Sequence, residues 1–147
     1  IEIVCEDIKN LKNIYETNSF DAIVTNPPYK TKGTGGINEV EAKLISRHEI
    51  TANLEDFISI SSYLLKDQSS IYMVHRPERL VDIIVSMKKY GIEPKKIRFV
   101  YPKMSKPANH VLIEGMKNGN SELKIMDPFI VHNEDNSYTD QMYELMN

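Results

Sequence analysis

Two adjacent prolines set the hardest constraint on how this chain can fold. Pro27 and Pro28 follow closely on Asp21–Thr25 (Asp-Ala-Ile-Val-Thr), a run whose apolar, β-branched character reads as a buried strand, with only Asn26 between. Proline has no N–H to give to a sheet ladder and fixes its own φ, so the strand stops here. Asn26, Pro27, Pro28 and Tyr29 therefore occupy a turn beyond the carboxyl end of a strand.

Around that turn the apolar pattern alternates between the two regular periods. Ile1 to Cys5 reads as a short buried strand, closed by Glu6 and Asp7. Lys30 to Asn38, with Gly33, Gly35 and Gly36, reads as a loop. From Asn53 to Leu65, Leu54, Phe57, Ile58, Ile60, Ser61 and Leu64 recur at helical spacing, with Asn53 as N-cap. Ser70 to His75 is the next strand; Pro77 suits the first turn of a helix running to Tyr90, with Gly91 in the stop position. Lys96 to Tyr101 and Asn109 to Met116 read as strands, and Leu123 to Val131 as a final short strand or hairpin before a polar end. Strands alternating with helices predict an α/β fold, a parallel sheet with right-handed crossovers. Sheets of that kind bind ligands beyond the carboxyl ends of their strands, where Asn26–Tyr29 lies. No repeat, low-complexity stretch or linker divides residues 1–147, which are expected to form one domain or a portion of one.

Composition narrows the functional classes. With 41% hydrophobic and 27% charged residues the chain reads as globular, without an 18-residue apolar run or a signal peptide, and a cytoplasmic location with no membrane partner is expected. Cys5 is the sole cysteine, expected to pack; no disulfide within the chain or multi-cysteine zinc site can form. His48, His75, His110 and His132 are dispersed without paired ligand spacing, so no metal is expected, and no hydrolytic triad can be read. The net charge of −3 conceals an uneven distribution. Ser86 to Lys106 holds seven basic residues against Glu93 alone, whereas from Glu114 onward two basic residues face seven acidic ones. The basic stretch suits either a solvated helix end and loop or a face that meets phosphates.

The residue types of the turn suit one kind of chemistry. An exocyclic amine on a purine is a poor nucleophile, because its lone pair is delocalised into the ring. Two acceptors aimed at its hydrogens free that lone pair and stabilise the positive charge that grows during attack. The Asn26 amide oxygen can supply one acceptor and the Pro27 carbonyl the other, held stiffly by the flanking prolines. Tyr29 offers an aromatic face to a base taken out of its stack. On this reading the ring matters and the hydroxyl does not, so Tyr29→Phe is expected to be tolerated. The plainer alternative is that Asn-Pro-Pro stops a strand and Tyr29 packs.

Asn26-Pro27-Pro28-Tyr29 after a strand resembles the amino-methylating branch of the class I S-adenosylmethionine-dependent methyltransferases. Three stretches, Asn26–Lys30, Ile45-Ser46-Arg47-His48-Glu49-Ile50 and Met73-Val74-His75-Arg76-Pro77-Glu78-Arg79-Leu80, are similar to the bacterial valine-tRNA adenine-37-N6 methyltransferase family, a similarity that runs to about Val131. The resemblance implies a Rossmann-like sheet ordered 3-2-1-4-5-7-6 with helices on both faces, missing the first strands, so that Ile1–Cys5 would be the third strand. It implies S-adenosylmethionine as cofactor, touched by Asp7, Ile8 and Asn26, with Asn26, Pro27, Pro28 and Tyr29 as the catalytic loop. Tyr29, Lys30, Arg47, His48 and Arg76 are the candidate substrate contacts, although Arg76 and Arg79 equally suit the start of a helix.

The glycine loop of the cofactor site and the acidic residue after the second strand are absent, and Gly33-Thr34-Gly35-Gly36, placed after the catalytic loop, suits a substrate lid better. The chain is accordingly expected to be a catalytic-loop portion, inactive alone. Ile1–Cys5 should then slide against the fourth strand, or pair with another copy or a separate N-terminal piece. The expected partner is tRNA and the expected reaction N6-methylation of adenine. DNA amino-methylation, protein glutamine methylation and a non-catalytic RNA-binding role remain as alternatives.

Overall fold

A computed structural model describes residues 1–29 and 52–147 of the chain. The candidate residues Lys30, Arg47 and His48 and the Gly33–Gly36 stretch lie outside the described residues. The first described element is a 3-10 turn, Ile8–Asn10, continued by α1 (Leu11–Ile14). Strand β1 (Phe20–Thr25) follows, and α2 (Leu54–Leu64) runs without a loop into β2 (Leu65–His75). A 3-10 turn at Pro77–Arg79 opens α3 (Leu80–Lys89), which leads to β3 (Ile92–Tyr101) and β4 (His110–Lys117). Two short strands, β5 (Lys124–Ile125) and β6 (Phe129–Ile130), and α4 (Asp140–Met146) complete the chain.

The local reasons match the sequence closely. Asn53 caps α2 through a full capping box: its side chain accepts from the Asp56 N–H at 3.0 Å, and the Asp56 carboxylate accepts from the Asn53 N–H at 2.8 Å. Tyr90 and Gly91 close α3, and Gly91 takes φ +70°, a conformation that costs glycine nothing.

The sheet is mixed, in the order β1-β2-β4-β3-β5, with β6 also beside β3. Strands β1 and β2 pair in parallel, but β4 runs antiparallel to both β2 and β3. The all-parallel expectation is thus corrected: only an eight-residue connection separates β3 from β4, far too short for a crossover of a dozen residues or more. The succession of β1, β2, β4 and β3 agrees with the 4-5-7-6 part of the implied strand order.

One core holds the assembly together. Leu54 and Ile58 of α2 and Ile83 and Met87 of α3 meet Ile71 and Met73 of β2, Ile97 of β3, and Val111 and Ile113 of β4. Each such side chain contributes about 1.5–3 kcal/mol by leaving water. Gly115 allows α3 and β3 this close, since a Cβ there would stand 2.6 Å from Ile92 Cγ2 and 3.2 Å from Met87 Sδ. Both longer helices therefore cover one face. On the opposite face Val24, Tyr72 and Leu112 are 83%, 43% and 40% exposed, and among the described residues no helix lies in the core on that side. No described helix is long and apolar enough to cross a membrane.

The reading of Ile1–Cys5 as a buried strand is overturned. These residues form no strand and are exposed, Ile1 and Ile3 almost fully, and they pair with no described strand, β1 included. Cys5 is likewise exposed, not packed. Alternation describes what a strand would present; without an edge to receive its N–H and C=O groups, the segment gives them to water.

Candidate functional site

Parallel pairing of β1 with β2 fixes where the Asn-Pro-Pro-Tyr turn lies. Thr25 stands opposite Met73, so the turn continues past Val74 and His75 at the carboxyl end of β2. Pro27 is buried there, Asn26 and Pro28 are exposed, and Tyr29 is half-buried. The antiparallel β4 brings its first residue, His110, to the same end of the sheet, where the ladder sets His75 opposite Val111.

Tyr29 is the hub of the site. Its ring meets His75 edge to face with centroids 5.0 Å apart, and His110 at 6.4 Å. The Arg76 guanidinium carbon lies 5.3 Å from the ring centre, within the range of a cation–π contact. Arg76 Nη1 also donates to the Asn109 carbonyl at 3.2 Å, which fixes the guanidinium over the ring without neutralising it. The Tyr29 hydroxyl donates to Asn26 Oδ1 at 2.8 Å. This bond gives the hydroxyl a contact with the amide that the expectation for the ring alone does not include. An amide oxygen carries two lone pairs, so Asn26 Oδ1 retains one for an incoming amine.

His75 underlies this arrangement. It is fully buried, and its Nδ1 accepts the Arg76 backbone N–H at 2.8 Å, a bond that only the neutral ring can make. Burial, and after it the charges of Arg79 and Arg76, hold its pKa below the ordinary histidine value. The other nitrogen, Nε2, has no hydrogen-bond partner among the described residues. Neither His75 nor His110 stands out as a site residue from sequence. The available signal is the position of His75 at the end of a strand beside the turn.

The remaining candidates divide. Arg79 is paired with Asp82 at 2.7 Å along α3, the helix-start role that was its alternative. Asp7 is exposed; one of its oxygens caps the first 3-10 turn by accepting the Lys9 N–H at 2.9 Å. Ile8 is half-buried and shares a cavity of about 250 Å³ with Thr25, the residue before Asn26. An exposed carboxylate followed by an aliphatic side chain fits an adenine ring, the carboxylate accepting from its amine and the aliphatic chain packing on its face.

Solved structures match this arrangement of strands and helices. A predicted O-methyltransferase, protein Atu636 from Agrobacterium tumefaciens, matches with a TM-score of 0.71 at 18% identity, covering 92% of this chain and 55% of its own. The chain shares the Rossmann-like α/β fold of this methyltransferase over about half of that protein's length. TTHA0409 from Thermus thermophilus, a candidate DNA modification methylase solved with S-adenosyl-L-methionine, matches this fold with a TM-score of 0.55 at 19% identity, over 79% of this chain and 55% of its own. A candidate class I S-adenosylmethionine-dependent methyltransferase from Listeria monocytogenes matches at 0.50 and 10% identity, over 76% and 37%. The chain spans about half the length of the first two of these methyltransferases. No protein-family model matches the chain, and no curated protein matches it in sequence.

Proposed function

We propose that this chain is the substrate-side portion of an S-adenosylmethionine-dependent methyltransferase that methylates the N6 amine of adenine in RNA, with tRNA as the substrate. The observation that carries the reading is the Asn26–Tyr29 turn itself. It lies at the carboxyl end of a parallel strand in a class I methyltransferase sheet, with an amide oxygen held in place by the Tyr29 hydroxyl. When bound, the cofactor supplies a methyl group made electrophilic by its sulfonium. Asn26 Oδ1 and the Pro27 carbonyl accept the two amine hydrogens, aim the nitrogen lone pair, and stabilise the charge that develops on it. Tyr29 supports the extruded base, and the amine proton leaves to solvent once the nitrogen has been methylated. Asp7 and Ile8 would hold the cofactor's adenine, and Asn26 would meet the cofactor near the reacting methyl.

The edge of β1 away from β2 is unpaired among the described residues. In the proposed enzyme the sheet continues from that edge into the strands that carry the glycine loop, and the exposed Val24 and Tyr72 face is covered with it.

DNA is the second reading, favoured by the neighbour named as a DNA modification methylase. Transfer of a labelled methyl group separates the two. The full protein that carries this chain should label unmodified tRNA and leave duplex DNA and a glutamine-bearing peptide unlabelled. Label in duplex DNA alone would reassign the substrate.

A further inference from the structure

The loop between β3 and β4 builds a second feature next to the Tyr29 site. Pro102 and Pro107 stiffen it, the Lys106 N–H donates to Lys103 O at 3.1 Å, and the Asn109 N–H donates to Val100 O at 3.0 Å. The segment after β6 returns alongside: the His132 N–H donates to Pro102 O at 3.0 Å and Lys103 Nζ to Glu134 O at 2.9 Å. Between these segments lies a groove of about 650 Å³, whose walls include Arg76, Glu78, Lys103, Lys106, Asn109 and His132.

The cations of the basic stretch and the groove are held in two ways. Lys88, Lys89 and Lys96 are each paired with a carboxylate, from Glu93, Glu55 and Glu114 respectively. Lys95 and Arg98 donate to the Asn120 and Asp127 carbonyls, and in the groove Arg76 and Lys103 are likewise anchored on carbonyl oxygens, which orient them. Lys106 adds a third cation, against Glu78 in the wall. Glu134 stands nearby and partly offsets Lys103 and Lys106: its carboxylate accepts from the Ser105 hydroxyl and N–H, and these bonds, with the two lysine charges after them, hold its pKa down.

Two further contacts tie the groove to a strand of bases. Arg76 lines it and also lies over the Tyr29 ring, so it begins where the proposed adenine platform ends. His132 stacks on Tyr138 with centroids 4.9 Å apart, and Tyr138 is 40% exposed. A cationic groove beside exposed aromatic rings is the combination that binds single-stranded nucleic acid.

We propose that this groove binds the phosphodiester backbone of a single-stranded RNA next to the nucleotide whose base enters the Asn26–Tyr29 site. The proposal rests on the RNA reading above and names where that substrate runs. Arg76, Lys103 and Lys106 contact phosphate oxygens, which fixes register and carries no sequence information.

The test is fluorescence anisotropy of the full protein with labelled oligouridine, which has no adenine, across about 50 to 300 mM salt. The Lys103→Gln/Lys106→Gln variant should bind more weakly and flatten the slope of log affinity against log salt by about 1.4, or about 0.7 for each phosphate of a single strand that is no longer neutralised. Lys103→Arg/Lys106→Arg should restore the slope, which excludes a folding defect as the cause. Lys88→Gln/Lys89→Gln should leave it unchanged. An unchanged slope in the first variant, or equal flattening in the Lys88/Lys89 variant, overturns the groove. Because oligouridine cannot be methylated at adenine, this outcome is independent of methyl transfer. Loss of labelling with an intact salt response would remove the enzyme reading alone.

Discussion

Tyr29 does two jobs with one side chain. Its ring is packed against His75 and capped by Arg76, while its hydroxyl holds Asn26 Oδ1 at 2.8 Å. Tyr29→Phe therefore keeps the platform and loses the orienting bond. It should lower turnover more than it raises KM for the RNA, and equal turnover in the two proteins would show that the hydroxyl does nothing for catalysis. Tyr29→Ala, which removes both, should also weaken RNA binding, by about 1–3 kcal/mol if one base is stacked there. Asn26→Ala should leave cofactor affinity unchanged in a titration while lowering turnover by about 10²-fold or more, the scale seen when one preorganised hydrogen-bonding group is lost. Asn26 and Tyr29 stood out in the sequence because Asn-Pro-Pro-Tyr is a rare spelling with a chemical reason. The hydroxyl bond was not, since nothing in the residue types says which way a side chain three positions on will turn.

At the scale of elements, the sequence was most informative where local signals agreed. Asn53 ahead of an apolar helical stripe announced α2, and Asn53 caps it as expected, with the reciprocal bond from Asp56 added by the structure. Asn53→Ala should cost about 0.5–2 kcal/mol in a urea melt, the usual loss for a cap, with an unchanged m-value. A loss close to zero would mean that packing of Leu54 and Ile58 alone sets the start of the helix. Strand direction was less legible, because β3 and β4 carry the same period whichever way they run; the shortness of their connection is what decides it. Ile1–Cys5 failed for a related reason, since its alternation had no partner edge to make it a strand. Helix α4 reads in sequence only as a polar tail: its seven residues bury no side chain, and only the Thr139 cap, accepting from the Met142 N–H at 3.3 Å, marks its start.

The whole molecule couples its core to its candidate site through His75. That residue is buried behind Tyr29 and neutral, with a pKa below the ordinary value of about 6.5. Between the two values the unfolded chain binds more protons than the folded one, so stability falls as pH drops below about 6.5 and is level in this respect above it. His75→Phe should melt with a shallower dependence on pH across that window, and an identical slope would place the acid sensitivity elsewhere. The groove beside the β3–β4 loop was only half legible: the sequence showed the basic cluster, but folding decides which of its cations meet a carboxylate in an ion pair, as Lys88, Lys89 and Lys96 do, and which line the groove. The most direct test of the account is mass analysis of nucleosides from unmodified tRNA incubated with the full protein and S-adenosylmethionine. N6-methyladenosine formed by the wild type and absent with Asn26→Ala is the predicted result. Methyl groups found on any other atom, or an undiminished yield from Asn26→Ala, would contradict it.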